Sequence, residues 1–490
     1  MRRNKIIQVV AGLPAIVWVL LGAGCNSVGP DYKPPEIAMP AAWTTSLENG
    51  SETAAANTNV LQRWWGVFHD PVLSELIERA RAGNLDLRQA EARVRQARAQ
   101  RGMAKADLFP VIGGNASASR SRSSEEAGSG STSVFYSAGF DASWELDIFG
   151  EKRRALESAT ASQQAAEESF RDVLISLFAE VAVNYVEARS CQQLISITES
   201  NVLTRSETHD ITRWRREAGL TTTLDEDQAR MSLEQARAQV PLLSTRLEQA
   251  KHRLALLLGQ HPGALKPLMT EARSVPSAPV EAAVGLPAEL LRRRPDIRNA
   301  ERLLAAQTAQ IGVARAALYP KFSLLGSVGL ESLEFGNLFT AGARTARGAA
   351  QSAWTLFQGG GIRRNIELQT ARQEEALSFY EQTVLAALND VENSLVACVN
   401  EQARQRSLEQ AVVAGQSAFA LARDEYSSGI ADFQVVLDTQ QSLLIIQDQL
   451  AASQANAASH LISLYKSLGG GWSADTPGSA APESPPQNDR

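Results

Sequence analysis

Three cysteines, five histidines and five methionines in 490 residues leave little material for disulfide, metal or redox chemistry. The histidines (His69, His209, His252, His261 and His460) are scattered, so no zinc site or catalytic triad is expected, and no cofactor or enzymatic activity. Cys191 and Cys398 fall in helical stretches and read as packed thiols. So few methionines argue against a dedicated copper path. The formal charge of -6 gives no reason to expect nucleic acid. Arg292, Arg293 and Arg294 read as structural. Gly359, Gly360 and Gly361 lack the Lys-Ser or Lys-Thr of a phosphate loop and read as a strand-to-helix corner. Trp64 and Trp65 read as packing or interfacial residues. Beyond residue 25 no apolar run approaches the roughly 20 residues of a membrane helix. If the mature chain crosses a membrane, it does so with strands.

The N-terminus is a targeting signal. Arg2, Arg3 and Lys5 precede an apolar region from Ile6 to Leu21, and the run LGAGC places Cys25 after small residues. The pattern is that of a lipoprotein signal peptide over 1–24, with lipidation at Cys25. It departs from the usual lipobox in one respect, with Leu21 one residue early and Gly22 in its place. Asn rather than Asp follows the cysteine at position 26, which by family analogy favours transport to the outer membrane.

What the chain has in abundance is internal repetition. Asp86, Arg88 and Glu91 return as Asp296, Arg298 and Glu301, Pro110 as Pro320, and Trp144 and Gly150 as Trp354 and Gly360. Gly219 and Gly259 return as Gly429 and Gly469. The offset is 210 residues throughout. A constant offset means two copies of one structural unit, which usually builds a pseudo-symmetric ring or barrel. The organisation read from this is an anchor and extended segment over 25–70, repeat one over 71–259, a linker over 260–286, repeat two over 287–469 and a disordered tail over 470–490.

Each copy has the same elements. Helical patterning ends at Pro110 or Pro320, and a period-two stretch follows. Tyr136, Ala138, Phe140, Ala142, Trp144 and Leu146 alternate with a mostly polar set, as do Phe322, Leu324, Gly326, Val328 and Leu330. Strands are expected near 111–123, 133–148, 321–331 and 349–358. They suit a transmembrane β-barrel, though these segments alone equally suit a soluble sheet with one wet face. Next come very long helices. Residues 151–218 contain no Gly or Pro, and 362–428 contain only Gly415. Leu174, Val181 and Ala188 recur every seven residues, as do Val384, Val391 and Cys398, which points to left-handed supercoiling. Gly219 and Gly429 end these helices where the chain must reverse, and shorter helical runs return.

Four strands cannot close around an aqueous lumen. Open edges are not tolerated in lipid, so several chains must complete one barrel, eight strands from a dimer or twelve from a trimer. Only twelve leaves room for a conduit. The competing reading is a structural or adhesive outer-membrane lipoprotein with a coiled-coil stalk and no pore.

The segments CNSVGPDYKPP, RWWGVFHDPVLSELIERA, WELDIFG, GLPAELLRRRPDIRNAE, LYPKF and WTLFQGG, with GIADFQVVLDTQQSLL near the second reversal, occur in order. With them the chain resembles the TolC-like outer-membrane factors, in the lipoprotein branch serving multidrug efflux. The resemblance runs from Cys25 to about Gly470. It implies a homotrimer: an antiparallel twelve-stranded barrel, four strands per chain, continued by an α-helical coiled-coil barrel. It further implies outer-membrane lipid around the strands, a periplasmic adaptor protein and an inner-membrane pump. On this resemblance Gly219, Leu220, Gly429 and Ile430 face the adaptor. Asp432 first, and Asp424 second, ring a periplasmic gate; the alternative is that both are solvated turn residues or helix caps.

The mature protein is expected to begin at a lipid-bearing Cys25, which intact-mass measurement checks. Cys25→Ser should retain partial function, because acyl anchoring, about 0.8 kcal/mol per buried methylene, only supplements a barrel.

Overall fold

The computed structural model describes residues 27–45, 58–277 and 293–473. The signal peptide, Cys25, Arg292, positions 278–286 of the linker and the tail beyond 473 lie outside the described residues. The chain divides into two compact units. Among the described residues, one comprises 27–36, Val94–Ala166 and Asn299–Tyr380; the other comprises the described parts of Ile37–Arg93 and Glu167–Arg298, with 381–473.

The element order repeats as the sequence repeats. In copy one, α1 (Pro71–Gly83) and α2 (Leu85–Ala106) lead to β1 (Val111–Arg122) and β2 (Thr132–Leu146), then α3 (Glu151–Glu217) and α4 (Thr223–Leu257). Copy two supplies α5 (Pro295–Ala316), β3 (Lys321–Ser332), β4 (Arg344–Ala353), α6 (Gly361–Ser427) and α7 (Phe433–Ser467). Helix starts follow from capping. Asp70 accepts from Val72 N at 2.8 Å and Leu73 N at 3.2 Å, with Pro71 in the first turn. The α3 and α6 helices, 67 residues each, would extend ~100 Å at 1.5 Å per residue.

In the first unit the strands form one antiparallel sheet in the order β1-β2-β3-β4. Its register aligns Ile112 with Ala142, Ala142 with Gly326 and Gly326 with Gly348. Because side chains alternate, one face collects Ile112, Phe140, Leu324 and Val328. The other collects serines, charged residues and glycines. A twelve-residue strand, ~40 Å long, tilted as in a barrel, spans roughly the 30 Å of a bilayer core.

Strand four differs from expectation, ending at Ala353 instead of 358 and starting at Arg344 instead of 349. The reason is register: Lys321, the first residue of β3, pairs with Ala353, and Leu330 near its other end pairs with Arg344. Just beyond the strand, the Trp354 indole Nε1 donates to Leu318 O at 3.0 Å, as Trp144 donates to Leu108 O at 3.0 Å. After this anchor, Gly359 and Gly360 adopt φ of 55° and 86° and turn the chain into α6.

In the second unit the core is helical. Leu174, Val181 and Ala188 are buried, as are Val384, Val391 and Cys398, so the seven-residue spacing marks the packed seam. Both thiols are free, and burial pushes that of Cys398 up to about 12. Trp64 stacks on Tyr465 at 5.8 Å and Trp65 meets Phe178 at 5.0 Å, which makes both packing residues. Arg294 pairs with Asp296 at 2.7 Å and Asp390 at 3.1 Å, a structural role. The chain stays packed past Gly470. Gly471 N donates to Leu61 O at 2.8 Å, and Trp472 lies under the guanidinium groups of Arg171 and Arg298.

A Cβ on Gly139 would meet Val328 O at 2.7 Å and Gly329 Cα at 3.0 Å, whereas one on Gly113 meets nothing within 4 Å. Gly139→Ala should therefore destabilise the sheet by about 1–3 kcal/mol, with a lower unfolding midpoint in detergent, and Gly113→Ala should not.

Candidate functional site

Two places in the structure concentrate features that packing alone does not require. The first is the polar face of the sheet. Ser117 and Ser137 share a hydrogen bond at 2.8 Å, and Ser121 and Ser133 one at 3.1 Å. Arg347 pairs with Glu331 at 2.9 Å, while Lys321 reaches Glu151 at 2.7 Å and Glu145 at 3.8 Å. Hydroxyl ladders and ion pairs at this density make a wettable wall. The opposite face, with Phe140 63% and Val328 58% exposed, is suited to contact apolar material.

The second place is the pair of helix reversals in the other unit. Gly219 has φ 73° and Gly429 has φ 76°. Gly219 N donates to Arg216 O and Leu220 N to Arg215 O; Gly429 N and Ile430 N repeat this on Tyr426 O and Glu425 O. This is the paired cap that a left-handed glycine permits, and it leaves Leu220 (67%) and Ile430 (78%) projecting into solvent. The two turns are then closed differently. Thr222 caps α4 in a reciprocal box with Asp225. Asp432 holds the equivalent place before α7, yet its side chain makes no cap hydrogen bond and is exposed. Asp424 is also exposed, 3.9 Å from Arg423 Nε.

Arg215 was not conspicuous in the sequence. Its guanidinium lies 4.5 Å over the Tyr426 ring and donates to Tyr426 O at 3.0 Å and Ser427 O at 3.3 Å. Tyr426 packs on Phe433, with Ala229 and Val436 completing a buried cluster. One arginine of the first reversal thus holds the second. Only its position near the end of a long helix could have hinted at this, since the partner lies 211 residues away.

The family model described as outer membrane efflux protein matches residues 76–260 and again 286–470, reproducing the 210-residue offset. The chain belongs to the outer membrane efflux protein family. It is 33% identical over 468 residues to the probable efflux pump outer membrane protein TtgC of Pseudomonas putida, covering 94% of this chain and 96% of that one. It is 35% identical to the pyoverdine export outer membrane protein OpmQ of the same species, covering 90% and 94%. Among solved structures, the outer-membrane channel OprN superposes with a TM-score of 0.85 at 36% identity, covering 91% of this chain and 99% of that one. The protein is therefore an outer-membrane efflux conduit and not an enzyme. The stalk reading finds no support, because the family and these relatives are efflux proteins and channels.

Removing Arg215 takes a donor from the Ser427 carbonyl, leaves the Tyr426 carbonyl with Gly429 N alone, and takes the cation from the face of the Tyr426 ring. Arg215→Ala should raise amide hydrogen exchange across residues 419–436. Arg215→Lys should not restore protection, since an ammonium cannot stack and fork at once. The Asp225 carboxyl is held below its usual range, chiefly by the Thr221 hydroxyl. Its cap is therefore intact above the ordinary carboxylate pKa of about 4 and lost only as pH falls through the lowered value.

Proposed function

We propose that three copies of this chain close their sheets into one twelve-stranded barrel through which small molecules leave the cell. The open edges carry this reading. Strands β1 and β4 end the sheet with unpaired backbone donors and acceptors, a state not sustainable in a hydrocarbon layer. Pairing β4 of one copy with β1 of the next satisfies both, and twelve strands leave a water-filled bore lined by the serine and ion-pair face. The Phe140 face then meets lipid.

Lipid on Cys25 fits this arrangement. Ser27, two residues on, lies against Gly150 at the start of α3, and Arg154 clasps the segment through Asp31 at 2.6 Å. An acyl chain there would be tethered beside the strand-to-helix junction. The long helices carry the conduit into the periplasm. The Leu220 and Ile430 turns meet the helical tip of an adaptor, which links an inner-membrane pump. Asp432, uncapped and exposed, supplies three carboxylates around the narrow axis, with Asp424 behind it. Like charges at close quarters repel one another and attract cations, so partners can bias a closed state. Relatives named for toluene, antibiotic and pyoverdine export suggest that the pump, and not this duct, selects the cargo.

Native mass spectrometry in detergent should give a trimer, and a stable monomer or dimer would refute the barrel. Single-channel recording on Asp432→Ala should show higher conductance and weaker cation preference. Unchanged traces for both Asp432→Ala and Asp424→Ala would move the gate elsewhere.

A further inference from the structure

The two connections at the outer end of the sheet are chemically opposite. Both hairpins, β1–β2 and β3–β4, turn at this end, while β2 and β3 are joined through the helices at the other. Residues 123–131 between β1 and β2 read SSEEAGSGS, a loop made for water. Residues 333–343 between β3 and β4 read LEFGNLFTAGA. Leu338 and Ala343 are buried, but Leu333, Phe335 and Phe339 are 68%, 63% and 75% exposed. Three large apolar side chains on one short connection form a patch that calls for cover.

The direction in which the patch lies is set by a ring contact. Phe335 packs edge-on to Tyr136 at 5.5 Å, and Phe339 packs on Phe335 at 6.4 Å. Tyr136 alternates with Ala138 and Phe140 along β2, so it belongs to the apolar face and not to the serine face. The aromatic connection is continuous with that face. Charge marks the depth. Arg120, in register with Val134, and Arg344, in register with Leu330, lie on the same face at its outer margin and are exposed. Long cationic stems at the edge of an apolar band suit the phosphate layer of a lipid leaflet, and aromatic rings suit the same interface.

We propose that the β3–β4 connection lies down against the outer leaflet. Phe335 and Phe339 seat among lipid at headgroup depth, and Arg120 and Arg344 meet lipid phosphates. The connection is therefore a membrane anchor and leaves the mouth of the conduit open, with only the polar β1–β2 connection near the exit. This inference rests on the reading of the Phe140 face as lipid-facing, and the test separates the two.

Spin labels on cysteines introduced as Phe335→Cys and Phe339→Cys, in the full-length protein reconstituted in phosphatidylcholine vesicles, report collision with oxygen, enriched in lipid, against a nickel chelate, confined to water. Cys191 and Cys398 are buried, and unmodified protein sets the labelling background. Phe140→Cys is the lipid reference and Ala127→Cys the water reference. The expected oxygen-to-nickel ratio at 335 and 339 falls between the two references and well above that of Ala127→Cys. A ratio at 335 and 339 matching Ala127→Cys, with Phe140→Cys still favouring oxygen, overturns the anchor alone. Immobilised labels reached by neither reagent also overturn it, in favour of a neighbouring copy as the cover. Nickel preference at Phe140→Cys itself overturns the lipid-face reading and the anchor with it.

Discussion

Every backbone amide and carbonyl withdrawn from water must find a partner, and the four-stranded sheet leaves two rows of them without one. Strands β1 and β4 are each bonded on a single side. In water such edges are tolerable. In a hydrocarbon layer they are not, because each unsatisfied group costs several kcal/mol. The proposed trimer, the polar bore and the apolar exterior all descend from this one demand. A chain that carried more strands could close alone; four strands per copy make assembly and membrane insertion the same problem.

The duplication is faithful where geometry is needed and divergent where chemistry is. Schellman-type caps recur at Gly219 and Gly429 and again at Gly259 and Gly469, with φ between 68° and 76°. The tryptophan anchors at Trp144 and Trp354 make the same hydrogen bond to residues 210 apart. These positions position backbone, and little but the same residue would serve. Side-chain chemistry separates the copies. A threonine with a full capping box at 222 becomes an uncapped aspartate at 432, and a polar outer connection becomes an aromatic one. Pseudo-symmetry thus supplies a regular scaffold on which only one copy carries the exposed acid and only one the aromatic loop.

Much of this architecture was legible before any coordinates. The alternation from Val134 to Asp147 names the strand and its apolar face, and the helix lengths follow from the absence of Gly and Pro. The seven-residue spacing marks the buried seam from Leu174 to Ala188, and from Val384 to Cys398. Such features are local and periodic, so neighbouring residues carry the information. The ends of β4 were not legible, since they are set by its register with β3, where Lys321 pairs with Ala353 and Leu330 with Arg344. Nor was the packing of Trp472 under Arg171 and Arg298, which join it from far away in sequence.

The compartment, the duplication, the element order and the four strands per copy are legible in the chain alone. Each of these is written in spacing, composition or count. Packing between distant segments is what ties Arg215 of one reversal to Tyr426 of the other, leaves Asp432 at a helix start without capping it, and leans Phe335 on the apolar and not the polar side of the sheet. The physical reason is the same in each case. Periodicity says which face a residue occupies on its own element, but the partner a side chain meets across elements depends on how distant segments pack, and no local pattern encodes that.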